Sequence, residues 1–272
     1  MITYQRLPFI RVAEFHFDEE TPAARADIVR HLWRSAPVSG TRCEESHTLV
    51  LDLTSSPETL LAKMHNGTRW SIRRADKDQF QYEFWCAGEP EAVAEFCGFY
   101  DAFAKGSHLV SANRKRLSAL TQLGVLDLSR VSDNAGRALV WHAHYRASHR
   151  VRMIHSASLL GKATDPSLRG LIGRANCHNT WCDILRFQQQ GLPAYDLGGW
   201  HGGAEDQKKL RINRFKESFG GALVKEFNAE IGVTAKGRLA LDMRAVLLSS
   251  LGRYGSWKVT RGPQRQTAAH LH

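Results

Sequence analysis

Residues 137–160, RALVWHAHYRASHRVRMIHSASLL, form the stretch that decides the fold. Apolar and polar residues alternate over Arg137–Ser148 and again over Arg150–Leu160, with a short turn at His149 between them. Because successive side chains of a strand point to opposite faces of a sheet, this alternation predicts two half-buried strands joined as a hairpin. The second half of the chain is therefore built on a sheet.

The residues that follow this hairpin predict alternating helices and strands. They are, in order, a loop rich in Gly and Arg (161–174), a helix (175–190), a strand (193–197), a helix (204–217), a strand (223–231) and a helix (239–251). Strands and helices mixed at this spacing predict an α/β or α+β layer domain. A hairpin followed by a loop, a helix and a further strand resembles the order of elements in the Gcn5-related acyltransferase fold.

The first half of the chain predicts a similar mixture. Strands are expected over 6–17, 47–53 and 79–87, and helices over 22–34, 55–76, 89–105 and 112–123. We therefore predict two packed Gcn5-related acyltransferase-like lobes, each a mixed β-sheet flanked by helices. The expected N-terminal lobe covers residues 1–106 and the C-terminal lobe covers residues 107–251, followed by a flexible basic tail over 252–272.

The composition limits the class of protein. The chain has 272 residues and a formal net charge of +10, and a basic protein of this kind commonly binds phosphate groups. Its apolar runs, such as Gly124–Leu128, are too short to span a bilayer, and its N-terminus lacks the pattern of a signal peptide. We expect a cytoplasmic protein with reduced cysteines, with peripheral attachment at the inner membrane face as an option.

A run of cations lies at helical spacing within residues 68–77, TRWSIRRADK. On a helix, Arg69, Arg73 and Lys77 share one face, and Trp70 and Arg74 flank it. Three cations beside an aromatic ring suit a polyphosphate or a nucleic-acid backbone. The structural alternative is a solvated helix face, which is favoured for this motif taken alone.

Two glycine pairs mark the other candidate sites. The segment YDLGG (195–199) ends a predicted strand, where glycines let a substrate or another backbone approach closely. In RFKESFGG (214–221), Lys216 lies between two phenylalanines, and a partly desolvated cation there stabilises a developing oxyanion. The structural alternatives are an ordinary turn and a helix that ends at Gly220 with an exposed lysine before it.

Together these motifs resemble the Fem family of peptidoglycan-bridge aminoacyltransferases, within the Gcn5-related superfamily. Residues 49–77 are similar to the family's tR-x-x-IR-x-A-x-K entry segment, residues 179–199 to its helix–strand unit, and residues 214–221 to its FK-x-x-FGG segment. The likeness covers about residues 47–232. The chain is short for a Fem enzyme, and the sequence shows no long helical hairpin of the kind that some members use with tRNA.

The resemblance implies transfer of an aminoacyl group from aminoacyl-tRNA to an amine acceptor. The acceptor would be a cell-wall precursor, a polysaccharide or a peptide natural product. It could be linked to a nucleotide or to a lipid. It also implies that Lys216 stabilises the oxyanion and that Phe215 shapes the site. The residues expected to bind substrate are Arg69, Arg73, Arg74, Tyr195, Asp196, Gly198, Gly199 and Arg214. No cofactor and no metal ion is expected.

Two other functions stay open at this point. An acyl-CoA-dependent N-acyltransferase for an amino sugar of a surface polysaccharide needs a pyrophosphate loop, and Arg169–Ala175 approximates that motif one residue out of register. A non-catalytic protein that binds RNA or a membrane surface also agrees with the charge. His142 and His144 have the spacing of a zinc pair on one strand face, but the sequence shows no third ligand.

Overall fold

The computed structural model of the chain describes residues 1–7, 9–20, 25–163 and 165–250, which fall into two units. Unit 1 consists of Met1–His47 and the residues from Lys225 onward, and unit 2 consists of Thr48–Val224. The expected lobe boundary after residue 106 lies within a helix of unit 2 (Pro90–Ser107). The two units instead meet along the chain after His47 and after Val224. The expected tail over 252–272 lies outside the described residues.

Unit 1 is built on a four-stranded mixed sheet. Its strands, in spatial order and numbered along the whole chain, are β1 (Ile2–Leu7), β2 (Ile10–His16), β3 (Ile28–Arg34) and β10 (Ala222–Gly232, which begins in unit 2). β2 pairs parallel with β3, and the other two pairs are antiparallel. Helix α7 (Ala235–Ser250) follows β10.

Unit 2 carries a six-stranded mixed sheet. The strands, in spatial order, are β4 (Cys43–Asp52, which begins in unit 1), β9 (Ala194–Trp200), β8 (Val151–Ser158), β7 (Ala138–Arg146), β6 (Leu126–Ser132) and β5 (Gln81–Trp85). The predicted hairpin is confirmed as the antiparallel pair β7–β8, and β8 pairs parallel with β9. The predicted α/β class, with mixed sheets flanked by helices, is confirmed.

Helices cover both faces of the sheet of unit 2. They are α1 (Pro57–Lys63), α2 (Asn66–Asp78), α3 (Pro90–Ser107), α4 (Arg114–Gln122), α5 (Pro166–Gln189) and α6 (Gln207–Glu217). On β7, Trp141 contacts Phe96 of α3, whereas the next residue, His142, contacts Asp183 of α5. Because consecutive strand residues point to opposite faces, α3 and α5 pack on opposite sides of the sheet. Among the described residues, no helix combines the length and apolar character that a membrane crossing requires.

Three predicted elements are wrong. The single strand expected over 6–17 is instead the end of β1 and the whole of β2, which run antiparallel to each other. The helix expected over 22–34 is replaced from Ile28 onward by strand β3, whose first two residues are β-branched and both buried. The loop expected over 161–174 overlaps the end of a short 3₁₀ turn (Leu159–Lys162) and includes the first turns of α5. Asp165 caps that helix by accepting hydrogen bonds from the backbone N–H groups of Ser167 and Leu168, and Pro166 occupies its first turn.

Candidate functional site

Lys216 lies in the last turn of α6, where its ammonium group contacts the end of β9. Nζ donates hydrogen bonds to the carbonyl oxygens of Gly198 at 3.0 Å and Gly199 at 2.5 Å. The lysine side chain is half-buried, whereas Gly199 is exposed. Two backbone acceptors therefore hold a positive charge at one position beside accessible backbone.

Glycine is required at the strand end that holds Lys216. Gly198 has a φ of +79°, and a Cβ placed there would lie 2.8 Å from the carbonyl oxygen of Met153 on β8. After α6, Gly221 has a φ of +102°, and its Cβ would lie 2.7 Å from the carbonyl oxygen of Val50 on β4. Any other side chain at either position would displace backbone. The two glycine pairs that the sequence singled out thus allow close backbone approaches.

The aromatic residues beside Lys216 anchor its helix. Phe215 is half-buried and packs edge-on against the fully buried Phe219, with ring centroids 5.2 Å apart. Phe219 belongs to the main core cluster of unit 2, and Phe215 packs against that cluster. Arg214 is exposed. Phe215 therefore fixes the end of α6, while Arg214 is accessible to an anionic ligand.

Asp196 is a fully buried ion-pair centre. Its carboxylate lies 2.6 Å from the guanidinium of Arg150 and 3.0 Å from that of Arg152, and it also accepts a hydrogen bond from the hydroxyl of Thr48. The backbone N–H of Gly198 donates to the same carboxylate at 2.8 Å. Gly198 was expected from the sequence to bind substrate, but its backbone N–H is used within the protein.

Tyr195 and Asp196 were expected from the sequence to bind substrate, but both side chains have protein partners and no exposed surface. The Tyr195 hydroxyl lies 3.0 Å from Nε2 of His144, and its ring stacks on Phe187. Burial, followed by the nearby carboxylates of Asp183 and Asp196, raises the pKa of Tyr195 far above its usual value. Tyr195 is therefore a neutral hydroxyl of the protein interior.

The cationic helix face of α2 divides into one structural arginine and two exposed ones. Arg69 donates hydrogen bonds to the carbonyl oxygens of Ala62 and Met64, at 3.1 and 3.0 Å, and so closes the end of α1. Arg73 is exposed. Arg74 is also exposed, and its guanidinium lies 3.9 Å from the carboxylate of Asp78 one helical turn away, which is a long ion pair. The structure thus leaves Arg73 and Arg74 accessible to phosphate and commits Arg69 to the protein.

The candidate pyrophosphate loop over Arg169–Ala175 is part of α5, so the expected loop does not exist at these residues. Backbone N–H groups inside a helix bond to carbonyl oxygens one turn back and are not available to a ligand. At the N-terminus of α5, two N–H groups already donate to the Asp165 carboxylate. An anionic side chain thus occupies the place that a phosphate would take.

Sequence reasoning missed a buried polar cluster between β7 and α5. Nδ1 of His142 lies 2.7 Å and Nε2 of His144 lies 3.4 Å from Oδ2 of Asp183, and all three residues are fully buried. Burial alone raises the carboxyl pKa, but His144 and His142 outweigh it and hold the pKa of Asp183 well below its usual range. Asp183 supplies a third potential ligand atom beside the two histidines, which the sequence did not reveal. The one sign of this residue in the sequence is that it is a single carboxylate within the apolar run TWCDIL (180–185).

Comparison with known proteins identifies the fold. No protein-family profile matches the sequence. No curated protein matches it significantly. Among solved structures, FemX superposes with a TM-score of 0.56 at 12% sequence identity, over 72% of this chain. The chain spans 63% of the length of FemX, which is less than two thirds.

A second solved structure has a similar architecture. It is the C-terminal domain of an Agrobacterium fabrum protein described as a lysylphosphatidylglycerol synthetase, with a TM-score of 0.52 and 14% identity. The match covers 81% of this chain and 72% of that domain. At such identities the likeness establishes a shared fold. The fold expected from the Fem resemblance is therefore confirmed.

Proposed function

We propose that unit 2 carries a transferase site that forms an amide bond, with an aminoacyl group passing from aminoacyl-tRNA to an amine acceptor. The observation that carries this proposal is the Lys216 ammonium, fixed on the carbonyl oxygens of Gly198 and Gly199 at the end of β9. A preorganised cation stabilises developing negative charge without rearrangement during the reaction. The fold shared with FemX agrees with this assignment.

The chemistry needs one cation and one nucleophile. The acceptor amine attacks the ester carbonyl carbon of the charged tRNA, and the carbonyl oxygen becomes an oxyanion beside Nζ of Lys216. When the intermediate collapses, the bond from carbon to the ribose oxygen breaks, and the new C–N bond remains as an amide. The amine proton leaves through water or the substrate, and the ribose oxygen ends as a hydroxyl. Phe215 holds Lys216 at its position by anchoring the end of α6.

Phosphate groups of the donor, or of a nucleotide-linked acceptor, are assigned to Arg73 and Arg74 on α2, with Arg214 contributing next to Lys216. All three guanidinium groups are exposed, and an arginine fork matches the geometry of phosphate oxygens. Arg69 is removed from this assignment as a direct contact because it closes the end of α1. It supports the phosphate-binding face by holding α2 against α1.

The donor is assigned as aminoacyl-tRNA rather than acyl-CoA because of Asp165. A pyrophosphate placed at the N-terminus of α5 would meet this carboxylate, which already accepts two N–H groups there. Like charges at one helix terminus repel, and the displaced cap would cost about 1 kcal/mol in helix stability. Acyl-CoA-dependent transfer is therefore disfavoured by this chain's own residues.

The test supplies purified protein with a panel of labelled aminoacyl-tRNAs plus an amine acceptor and, separately, with labelled acetyl-CoA. We expect deacylation of at least one tRNA that depends on the amine and yields an amide, and no saturable acetyl-CoA binding at sub-millimolar concentration. Acetyl-CoA consumption would instead establish the acyl-CoA reaction. Saturable tRNA binding without any turnover would identify a non-catalytic RNA-binding protein. Either result refutes the proposal.

A further inference from the structure

The polar cluster between β7 and α5 has the composition of a metal site rather than of an ordinary core. We infer that His142, His144 and Asp183 bind a divalent transition-metal ion of the zinc class, at a fully buried site with a structural role. Their three ligand atoms all lie within 4.8 Å of one another. Two imidazole nitrogens and one carboxylate oxygen form a common zinc ligand set.

The two separations between Asp183 and the histidine nitrogens are close to those of a tetrahedral site. Ligand atoms about 2.0–2.1 Å from a zinc ion lie roughly 3.3 Å from each other. Oδ2 of Asp183 lies 3.4 Å from Nε2 of His144 and 2.7 Å from Nδ1 of His142. The shorter separation is that of a hydrogen bond, so the ion replaces the proton between these two atoms. That proton leaves to solvent as the ion binds, and the two side chains separate by about 0.6 Å.

The surrounding residues orient the ligands as in known metal sites. Nε2 of His142, on the far side of its ring, lies 3.0 Å from Oδ1 of Asn176. The hydroxyl of Tyr82 donates to the second oxygen of Asp183 at 3.0 Å. Metal-binding histidines commonly donate their other N–H to a carbonyl or carboxylate, which fixes the tautomer and the ring orientation. The hydroxyl of Tyr195 is a further oxygen beside the ligand set, 3.0 Å from Nε2 of His144.

Two further observations favour a ligand here. Asn179 lies on α5 between Asn176 and Asp183 and is fully buried, yet its amide oxygen and nitrogen have no hydrogen-bond partner within the described part of the chain. The pairing of β7 with β8 shifts register between Ala143 and His144. Such bulges redirect a side chain and are frequent next to functional sites.

The site would join the sheet to α5 and would take no part in transfer of the aminoacyl group. Its ligands come from the middle of β7 and the middle of α5, two elements far apart in sequence. Since all three ligand residues are fully buried, no substrate reaches the ion. The expected consequence of metal binding is thus a more stable unit 2, and activity is not needed to test it.

The experiment uses the full chain, refolded with or without equimolar Zn²⁺ or Co²⁺ and then desalted. We expect one bound ion per chain, a higher Tm with metal, and the visible absorption of tetrahedral Co²⁺ without the near-ultraviolet bands of Co²⁺–thiolate bonds. The ligand variants His142→Gln and His144→Gln should lose the ion. Asn176→Leu, which removes only the partner of His142, should weaken metal affinity by about 10–100-fold.

His178→Gln is the matched control, because His178 also lies on α5 and is absent from the candidate ligand set. It should keep the ion and the Co²⁺ spectrum. A wild-type chain that refolds without taking up either metal overturns the inference, and so does metal retention by both ligand variants. If the ligand variants do not fold, the metal content and Co²⁺ spectrum of the wild-type protein still decide the question.

Discussion

Replacement of Asp196 by Asn should destabilise unit 2 strongly although the change is nearly isosteric. The carboxylate is fully buried and balances Arg150 and Arg152, whose side chains are 15% and 6% exposed. Removing one partner of a buried ion pair typically costs about 3–5 kcal/mol, because the other charge stays buried without compensation. Arg150 keeps some contact with water, which places the expected loss near the lower end, at about 3 kcal/mol.

The loss is measured as the change in free energy of unfolding in urea, and it corresponds to a fall in Tm of roughly 6–12 °C for a chain of this size. Asp206→Asn is the control. That partly exposed residue caps α6, and Asn caps a helix as well as Asp does. If Asp196 instead contacts the acceptor, Asp196→Asn should leave stability unchanged and raise the KM for the acceptor. A loss below about 1 kcal/mol would refute the ion-pair reasoning.

Three further predictions concern the cations and one histidine. Lys216→Ala should slow amide formation by roughly 100–1,000-fold, as for a lost oxyanion donor. Lys209→Ala, a change at the exposed start of the same helix, is the control and should leave the rate unchanged. Turnover of Lys216→Ala within a few-fold of wild type would exclude a role for Lys216 in oxyanion stabilisation. Replacing both Arg73 and Arg74 by Ala should reduce the slope of log affinity for tRNA against log salt by about 1.4, or about 0.7 per phosphate contact. An unchanged slope would mean that this face is merely solvated. Burial lowers the pKa of His155 from 6.5 to about 4, so between these values the unfolded chain binds a proton that the folded chain does not. The free energy of unfolding therefore falls as pH drops through this range, and His155→Phe should flatten the dependence of the urea midpoint on pH there. If the variant's urea midpoint depends on pH as steeply as that of the wild type, the pKa shift is contradicted.

Local signals in the sequence predicted the parts of the site that depend on neighbours along the chain. The alternation in 137–160 gave the correct hairpin because a strand's period is visible in its own residues. The sequence singled out the two glycine pairs that contain Gly198 and Gly221. The structure explains why glycine is needed there, since both residues have a positive φ and a Cβ at either would meet a carbonyl oxygen. The likeness to FK-x-x-FGG singled out Lys216, and the structure shows its ammonium group at the end of β9.

The sequence did not predict which polar side chains would be buried together. Asp183 and His142 are 41 residues apart, and Asp196 and Thr48 are 148 apart, so only the packed sheet brings each pair together. The start of α5 was missed because the glycines and arginines over 161–174 favoured a loop. The Asp165-Pro166 capping signal decided otherwise.

Strand β9 explains why the two proposed sites are separable. Consecutive residues of a strand face opposite sides of its sheet. Tyr195 therefore points to the α5 side, where it contacts His144, and Asp196 points to the other side, where it binds the arginines and the N–H of Gly198. A change in the histidine–aspartate cluster should act on stability and metal content, whereas a change at Asp196 should act on stability and also, through Gly198, on the position of Lys216. This arrangement predicts that variants of the metal ligands lose the ion but keep aminoacyl transfer. It also predicts that Lys216→Ala loses transfer but keeps the ion.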